Sequence, residues 1–355
     1  MSENTPNEVG LAIRVARVYP PCMAEERYKL ELDQFTTFAD PSLRGRSAKS
    51  MDIECGADGK WLNVFDPKIK IRNELSTEEK SVKYFFKGDG VKLLPEDSPS
   101  PDGKVHIYKR LVVELTMDFN LRSFPFDRHL LKLNFGTYLP WHQVQFVPYP
   151  DRPTKIDNDN ECSGWTVCPN ALPEDSFMYI LEYEDLPAKR GGKKYAQCIF
   201  FVPIQRELAW YMNNIFVPML LIMAMSAIAF LVPFQDVADR MSITLTLFLT
   251  IVASKLIVVT ELPKTNHLSL LDKYFMSAYA LMSFSVVSTF LLNVFCNSDE
   301  VKTICLSVDW IAAGALYTLW FLMHVCVFFQ TLLWQSWEEM LSMETRHCNT
   351  PLRAY

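Results

Sequence analysis

Between residues 239 and 260 the chain reads DRMSITLTLFLTIVASKLIVVT. Asp239, Ser242, Thr246, Leu249, Ala253, Leu256 and Thr260 step alternately by three and four, so on a helix they form one lengthwise stripe. The stripe passes from a carboxylate through two hydroxyls to apolar side chains and closes on a hydroxyl; most of the other residues are Ile, Leu, Val and Phe. A helix of this length crosses a bilayer core, where a polar stripe must face water or other helices. Several copies around an axis would enclose a path with a ring of acid at one end and a dry belt of Leu249 in the middle. A charged ring that selects and an apolar constriction that dewets are the two devices of ion permeation. Taken alone, the helix equally fits a bundle in which the hydroxyls only hydrogen-bond between helices.

The elements around it must decide. The chain has 355 residues, 49% of them hydrophobic, and a net charge of −6. The length suits two domains, and the charge argues against nucleic acid as a partner. Residues 1–10 are polar and acidic, without the apolar run of a signal peptide. Nine Cys show no CxxC and no metal-type spacing. Cys296, Cys305 and Cys326 lie in or beside apolar runs and read as small hydrophobes, while Cys162 and Cys168 flank a short loop and are candidates for a disulfide.

From about residue 9 to 201 the pattern is β. Strand-length runs at 12–18, 28–38, 68–72, 105–115, 129–135, 178–183 and 197–203 alternate with clusters of Pro, Gly, Asp and Asn. Such a series predicts an all-β, immunoglobulin-like sandwich over residues 1–206. Four apolar segments follow, at about 208–232, 240–260, 270–296 and 304–334, making residues 207–337 a four-helix transmembrane bundle and the whole chain α+β. Pro218 falls inside the first, which a membrane helix tolerates. An even number of spans puts the amino domain and the tail 338–355 on one side.

Asp157, Asp159 and Glu161 could take Ca²⁺ as a modulator, but they lack the turn Gly of a calcium loop and also read as a solvated acidic loop. No other cofactor is implied. Lys255 lies about 120° round the helix from Leu249, at roughly 100° per residue, off the stripe. A charge within a span is a functional candidate, but its stem is expected to snorkel to the outer surface to meet Glu261 or Glu207. An enzyme is not indicated: there is no nucleophile elbow, zinc-type His spacing or phosphate-cradling Gly loop.

The string FPFD at 124–127 resembles the Pro-loop of the pentameric ligand-gated ion channels, the Cys-loop receptor superfamily. Met117 and Leu131 stand where animal members carry the loop cysteines, so the loop disulfide is absent, as in prokaryotic members. PDGKV at 101–105, MDF at 117–119 and FPFDR at 124–128 look like the amine-gated bacterial branch. Arg206, Asn214 and Pro218 reproduce an R-x7-N-x3-P spacing into the first span, and Leu262-Pro263-Lys264 follows the stripe helix.

That resemblance implies a symmetric homopentamer in the cell membrane, multi-pass, with extracellular termini and the stripe helix around the axis. Asp239 would form a ring at the inner mouth favouring monovalent cations, with Arg240 turned away. Ser242 and Thr246 would offer oxygens to ions, and Leu249, Ala253 and Leu256 would gate. A small-molecule ligand, an amine in the branch resembled, would bind between subunits at an aromatic box of Tyr138, Tyr183 and Tyr195, with Asp33 on the facing side to pair with an ammonium or to titrate. Asp127 and Arg206 would pair at the domain junction, with Pro125, Phe126, Pro263 and Lys264 beside them to couple binding to opening. Gating by protons or divalent ions, or a non-conducting four-span assembly subunit, are the competing functions.

Overall fold

The structure is a computed structural model and describes residues 6–47, 65–85, 102–150, 152–157, 161–172, 178–184, 194–259, 267–296 and 302–332. Among the described residues, twelve strands build two facing six-stranded sheets, and four long helices follow. The fold is α+β, a β-sandwich followed by a helical bundle.

One sheet runs β4 (Glu74–Phe85), β5 (Lys104–Thr116), β2 (Arg27–Ala39), β1 (Asn7–Val18), β7 (Val144–Pro148), with β8 (Lys155–Ile156) also on β1. The other runs β3 (Ile69–Ile71), β6 (Arg128–Pro140), β12 (Lys194–Arg206), β10 (Trp165–Val167), β9 (Glu161–Cys162), with β11 (Met178–Glu184) on β12. Alternation places Leu11, Ile13 and Val15 of β1 and Leu30 and Leu32 of β2 against Leu133, Phe135, Phe200 and Val202 of the second sheet, all buried. The Tyr28 hydroxyl crosses between the sheets to donate to the Lys132 carbonyl, and Asn73 donates to the same oxygen at 2.7 Å.

β4 is absent from the sequence reading. Its ELSTEEKSVKYF is too charged to register as a core strand, yet it pairs along β5 as a sheet edge. Charge on an edge strand guards against pairing with other chains.

Helix α1 (Ala209–Leu231), α2 (Val237–Val259), α3 (Leu270–Phe295) and α4 (Lys302–Leu332) are each long and apolar enough to cross a membrane. Met276, Phe290, Val294, Ile311, Leu319 and Phe321 stand exposed on α3 and α4, an apolar surface suited to lipid. Within α1, residues Met212–Phe216 widen into π-helix immediately before Pro218. Proline has no amide to offer the carbonyl four residues back, and the wider turn accommodates that loss. α3 opens on a capping box: Asp272 N donates to Ser269 Oγ at 3.0 Å, and Ser269 N to Asp272 Oδ2 at 3.2 Å.

One cysteine reading changes. Cys296 and Cys305 form a disulfide joining the end of α3 to the start of α4, with Phe234 packed against them. Their apolar setting concealed the pairing, because a buried disulfide and two buried thiols look alike in a sequence. Cys162 and Cys168, the candidates for a loop disulfide, are free thiols, the first buried in β9.

Candidate ion pathway and coupling site

The stripe on α2 turns away from its own bundle. Asp239, Ser242, Thr246, Leu249, Ala253 and Leu256 are all exposed, Leu249 at 67% and Leu256 at 63%. The opposite face packs inward: Arg240, Thr244 and Ile251 are buried. Thr246 Oγ1 donates to the Ser242 carbonyl at 2.7 Å, and Thr250 Oγ1 to that of Thr246 at 3.0 Å. Each hydroxyl proton is thereby spent on the helix, which leaves the oxygen lone pairs facing outward as acceptors. Thr260 lies outside the described residues.

Arg240 lies buried at the foot of the helix, paired with Asp309 on α4. Lys255 snorkels toward the sandwich end, but its partner is Asp272 at 3.3 Å, in the first turn of α3. Neither Asp309 nor Asp272 was singled out from the sequence, because a lone carboxylate in an apolar run carries no sign of which helix it will face.

At the junction, Arg206 at the end of β12 holds Asp127 through two hydrogen bonds, Nε to Oδ1 at 2.6 Å and Nη2 to Oδ2 at 2.8 Å. Both side chains are buried. His129 Nε2 lies 2.7 Å from Asp127 Oδ2, and Arg206 Nη1 donates to the Tyr211 hydroxyl at 3.1 Å. The guanidinium stacks over Trp165 at 4.1 Å and Phe124 at 4.7 Å. Burial alone would raise the Asp127 carboxyl, but the hydrogen bonds and charge of Arg206 outweigh it and hold it down at about 2. A bidentate Arg–carboxylate pair with aromatic flanks is a rigid joint.

The FPFD loop reaches from this joint to the helices. The Phe124–Pro125 peptide is cis, and Pro125 is buried. Phe126 packs against Phe216 of α1, which in turn meets Tyr274 of α3. Leu270 N donates to the Arg122 carbonyl at 2.9 Å and Leu271 N to the Phe124 carbonyl at 3.2 Å. The free amides at the start of α3 are thus satisfied by the sandwich, a backbone contact that no side-chain pattern announces. Pro263 and Lys264 lie outside the described residues.

The expected ligand residues fall on two surfaces. Tyr138, near the end of β6, is 60% exposed and carries the Lys70 ammonium 4.5 Å from its ring centre. Tyr195 on β12 is half-buried and lies directly opposite Tyr183 of β11 in register. Tyr138 and Tyr195 meet the same end of the sheet, where Tyr195 pairs with Pro140. The side chain of Tyr183 is outside the described atoms. Asp33 sits in the other sheet and is not an open carboxylate: it is 2% exposed and clasped by Arg110, Nε to Oδ1 at 2.8 Å. The Tyr108 hydroxyl donates to it at 2.9 Å, and Arg14 stands 3.8 Å away. Burial would raise its proton affinity, but Arg110 and Tyr108 hold it below the usual carboxylate range. The register that sets Arg14, Asp33 and Arg110 side by side is a cross-strand relation invisible along the chain.

Arg14 also takes up Asp157, donating from Nε at 2.9 Å to each carboxylate oxygen. Asp159 and the side chain of Glu161 lie outside the described atoms. Among the described residues no three acidic, His or Cys side chains gather as a metal site.

No family model matches the chain. Among curated proteins it is similar to the human 5-hydroxytryptamine receptor 3E, 26% identical over 55% of this chain and 41% of that one. It is 27% identical to the acetylcholine receptor subunit beta-type acr-2 of Caenorhabditis elegans, over 49% of this chain and 28% of that one. The neuronal acetylcholine receptor subunit alpha-10 of Rattus norvegicus is 23% identical over 54% of this chain and 40% of that one. The match therefore spans less than half the length of each relative. These relatives are subunits of Cys-loop pentameric ligand-gated channels, not enzymes, and with four membrane-length helices the chain reads as a multi-pass membrane protein of the same fold.

Proposed function

We propose that the chain is the subunit of a cation-selective, homopentameric ligand-gated channel of the cell membrane, with the sandwich and both termini outside. The observation that carries this reading is the graded stripe of α2, which its own bundle leaves uncovered from Asp239 to Leu256. Five such faces around an axis give permeating monovalent cations a carboxylate ring, a column of hydroxyl acceptors and an apolar constriction. A small-molecule ligand at Tyr138 and Tyr195 opens the path only if it binds the open arrangement better than the closed one. The FPFD loop, the Asp127–Arg206 joint and the first turn of α3 carry that preference to α2. An amine is the ligand class supported by the tyrosines, since Tyr138 already accepts an ammonium on its ring. Asp33, engaged by Arg110, is not the counter-charge.

The test is a reversal potential in asymmetric salt from purified protein in a bilayer, during a ligand screen. A potential near that of the cation, weakened by Asp239→Ala, supports the reading. A potential near that of the anion, or no current under any ligand, defeats it.

A further inference from the structure

We propose that Asp309, on the outermost helix α4, sets the charge of the inner mouth by holding Arg240 out of it. The inference deepens the channel reading and rests on it. Arg240 follows Asp239 in sequence, yet Asp239 is exposed and Arg240 only 1% so. Arg240 Nε donates to the Ala229 carbonyl at 2.7 Å, and Nη1 and Nη2 donate to the two Asp309 oxygens at 3.2 and 2.6 Å. Its guanidinium also lies 5.0 Å from the Phe230 ring centre. The carbonyl and the ring belong to the last turns of α1, and the counter-charge, the only one on Arg240 among the described residues, to α4. That counter-charge is itself held in place: Cys305 precedes Asp309 by one helical turn, and its disulfide to Cys296 ties α4 to α3.

The consequence is a charge count at the mouth. With Arg240 neutralised by Asp309, the exposed Asp239 is left unopposed by its neighbour, beside the exposed Asp236 in the turn before α2. Remove the Asp309 charge, and a guanidinium without a counter-charge is not retained in a dry interior. The neighbouring residue, Asp239, is exposed, and a guanidinium released to that side cancels its charge. The mouth then loses one unit of negative charge per subunit, without any change in a pore-lining residue.

Reversal potentials of the full chain in a KCl gradient test this, in a Leu249→Ser background used to raise the open fraction. Asp239→Asn is expected to lower the cation-to-anion permeability ratio about tenfold or more, as the loss of a selecting ring should. Asp309→Asn should lower it by a similar factor, Asp309→Glu should preserve it, and Arg240→Gln with Asp309→Asn should restore it. A ratio unmoved by Asp309→Asn overturns the inference. If that variant does not assemble, Arg240→His with Asp309→Asn carries the test, being neutral at about pH 8 and charged at about pH 5.5. Its ratio should fall on acidification while that of Arg240→His alone stays level; the same response in both overturns the inference. Absence of current, or an Asp239→Asn variant with unaltered ratio, removes the channel reading itself and the inference with it.

Discussion

Asp127→Asn isolates the charge at the joint between sandwich and helices. The native carboxyl releases its proton at about 2 rather than 3.8. That difference corresponds to about 2 kcal/mol favouring the folded form at neutral pH. The folded value is the depressed one, so this stabilisation is complete above about pH 4 and is lost as the pH falls toward 2. Substitution costs more than protonation of a mobile carboxyl, because Arg206 stays buried with no counter-charge; removing one partner of such a pair costs about 3–5 kcal/mol. At about 2–4 °C per kcal/mol for a domain of this size, the unfolding midpoint should drop by roughly 10 °C at neutral pH. The assay is thermal unfolding of the solubilised full chain from neutral pH to pH 3, for the native protein, Asp127→Asn, and Asp127→Asn with Arg206→Met. The single variant should be less stable at neutral pH and less sensitive to acid than the native protein. The double variant should recover at least half the loss, since the apolar side chain leaves nothing unpaired. A single variant within about 0.5 kcal/mol of native, or a double variant no better than the single, refutes a joint held by charge.

Asp33→Asn leaves Arg110 and Arg14 facing one another. Both are two-fifths exposed and screened by water, so a loss of about 1 kcal/mol is expected in the same assay, and no loss would mean that the cluster is only surface decoration. Lys70→Met frees the face of Tyr138, and an amine that binds there should act at several-fold lower concentration; an unchanged concentration dependence would remove Tyr138 from the site. Peptide mapping without reductant should recover Cys296 and Cys305 in one cross-linked species, and a dithiol should lower stability by about 2–3 kcal/mol, the loop-closure value for so short a loop. Free thiols at both positions would contradict the staple.

What the sequence disclosed follows from what is local. Strand-length runs bounded by turn clusters marked β1, β2, β5 and β6, and long apolar runs marked the four spans, because each signal lies within one element. The stripe of α2 was legible for the same reason: its residues share one helix, and the exposed face agrees with the spacing. Relations between elements were not. The partners of Arg240 and Lys255 lie on α4 and α3, and the neighbours of Asp33 lie across two strands. β4 hid because an edge strand is charged to protect its open side. The contact of α3 with the FPFD loop hid because it is made by backbone amides and carbonyls, which every residue carries.

On the proposed function, the uncovered face of α2 borders water through which ions pass. Cysteine placed singly at Thr246, or at Phe290 on the exposed face of α3, and treated with a water-soluble cationic thiol reagent during recording, asks this directly. Modification of Thr246→Cys should block the current, while Phe290→Cys should neither react nor alter it. A Thr246→Cys channel that conducts unchanged after proven modification, or a thiol there that reacts only with lipid-soluble reagent, would place the stripe against something other than an ion path.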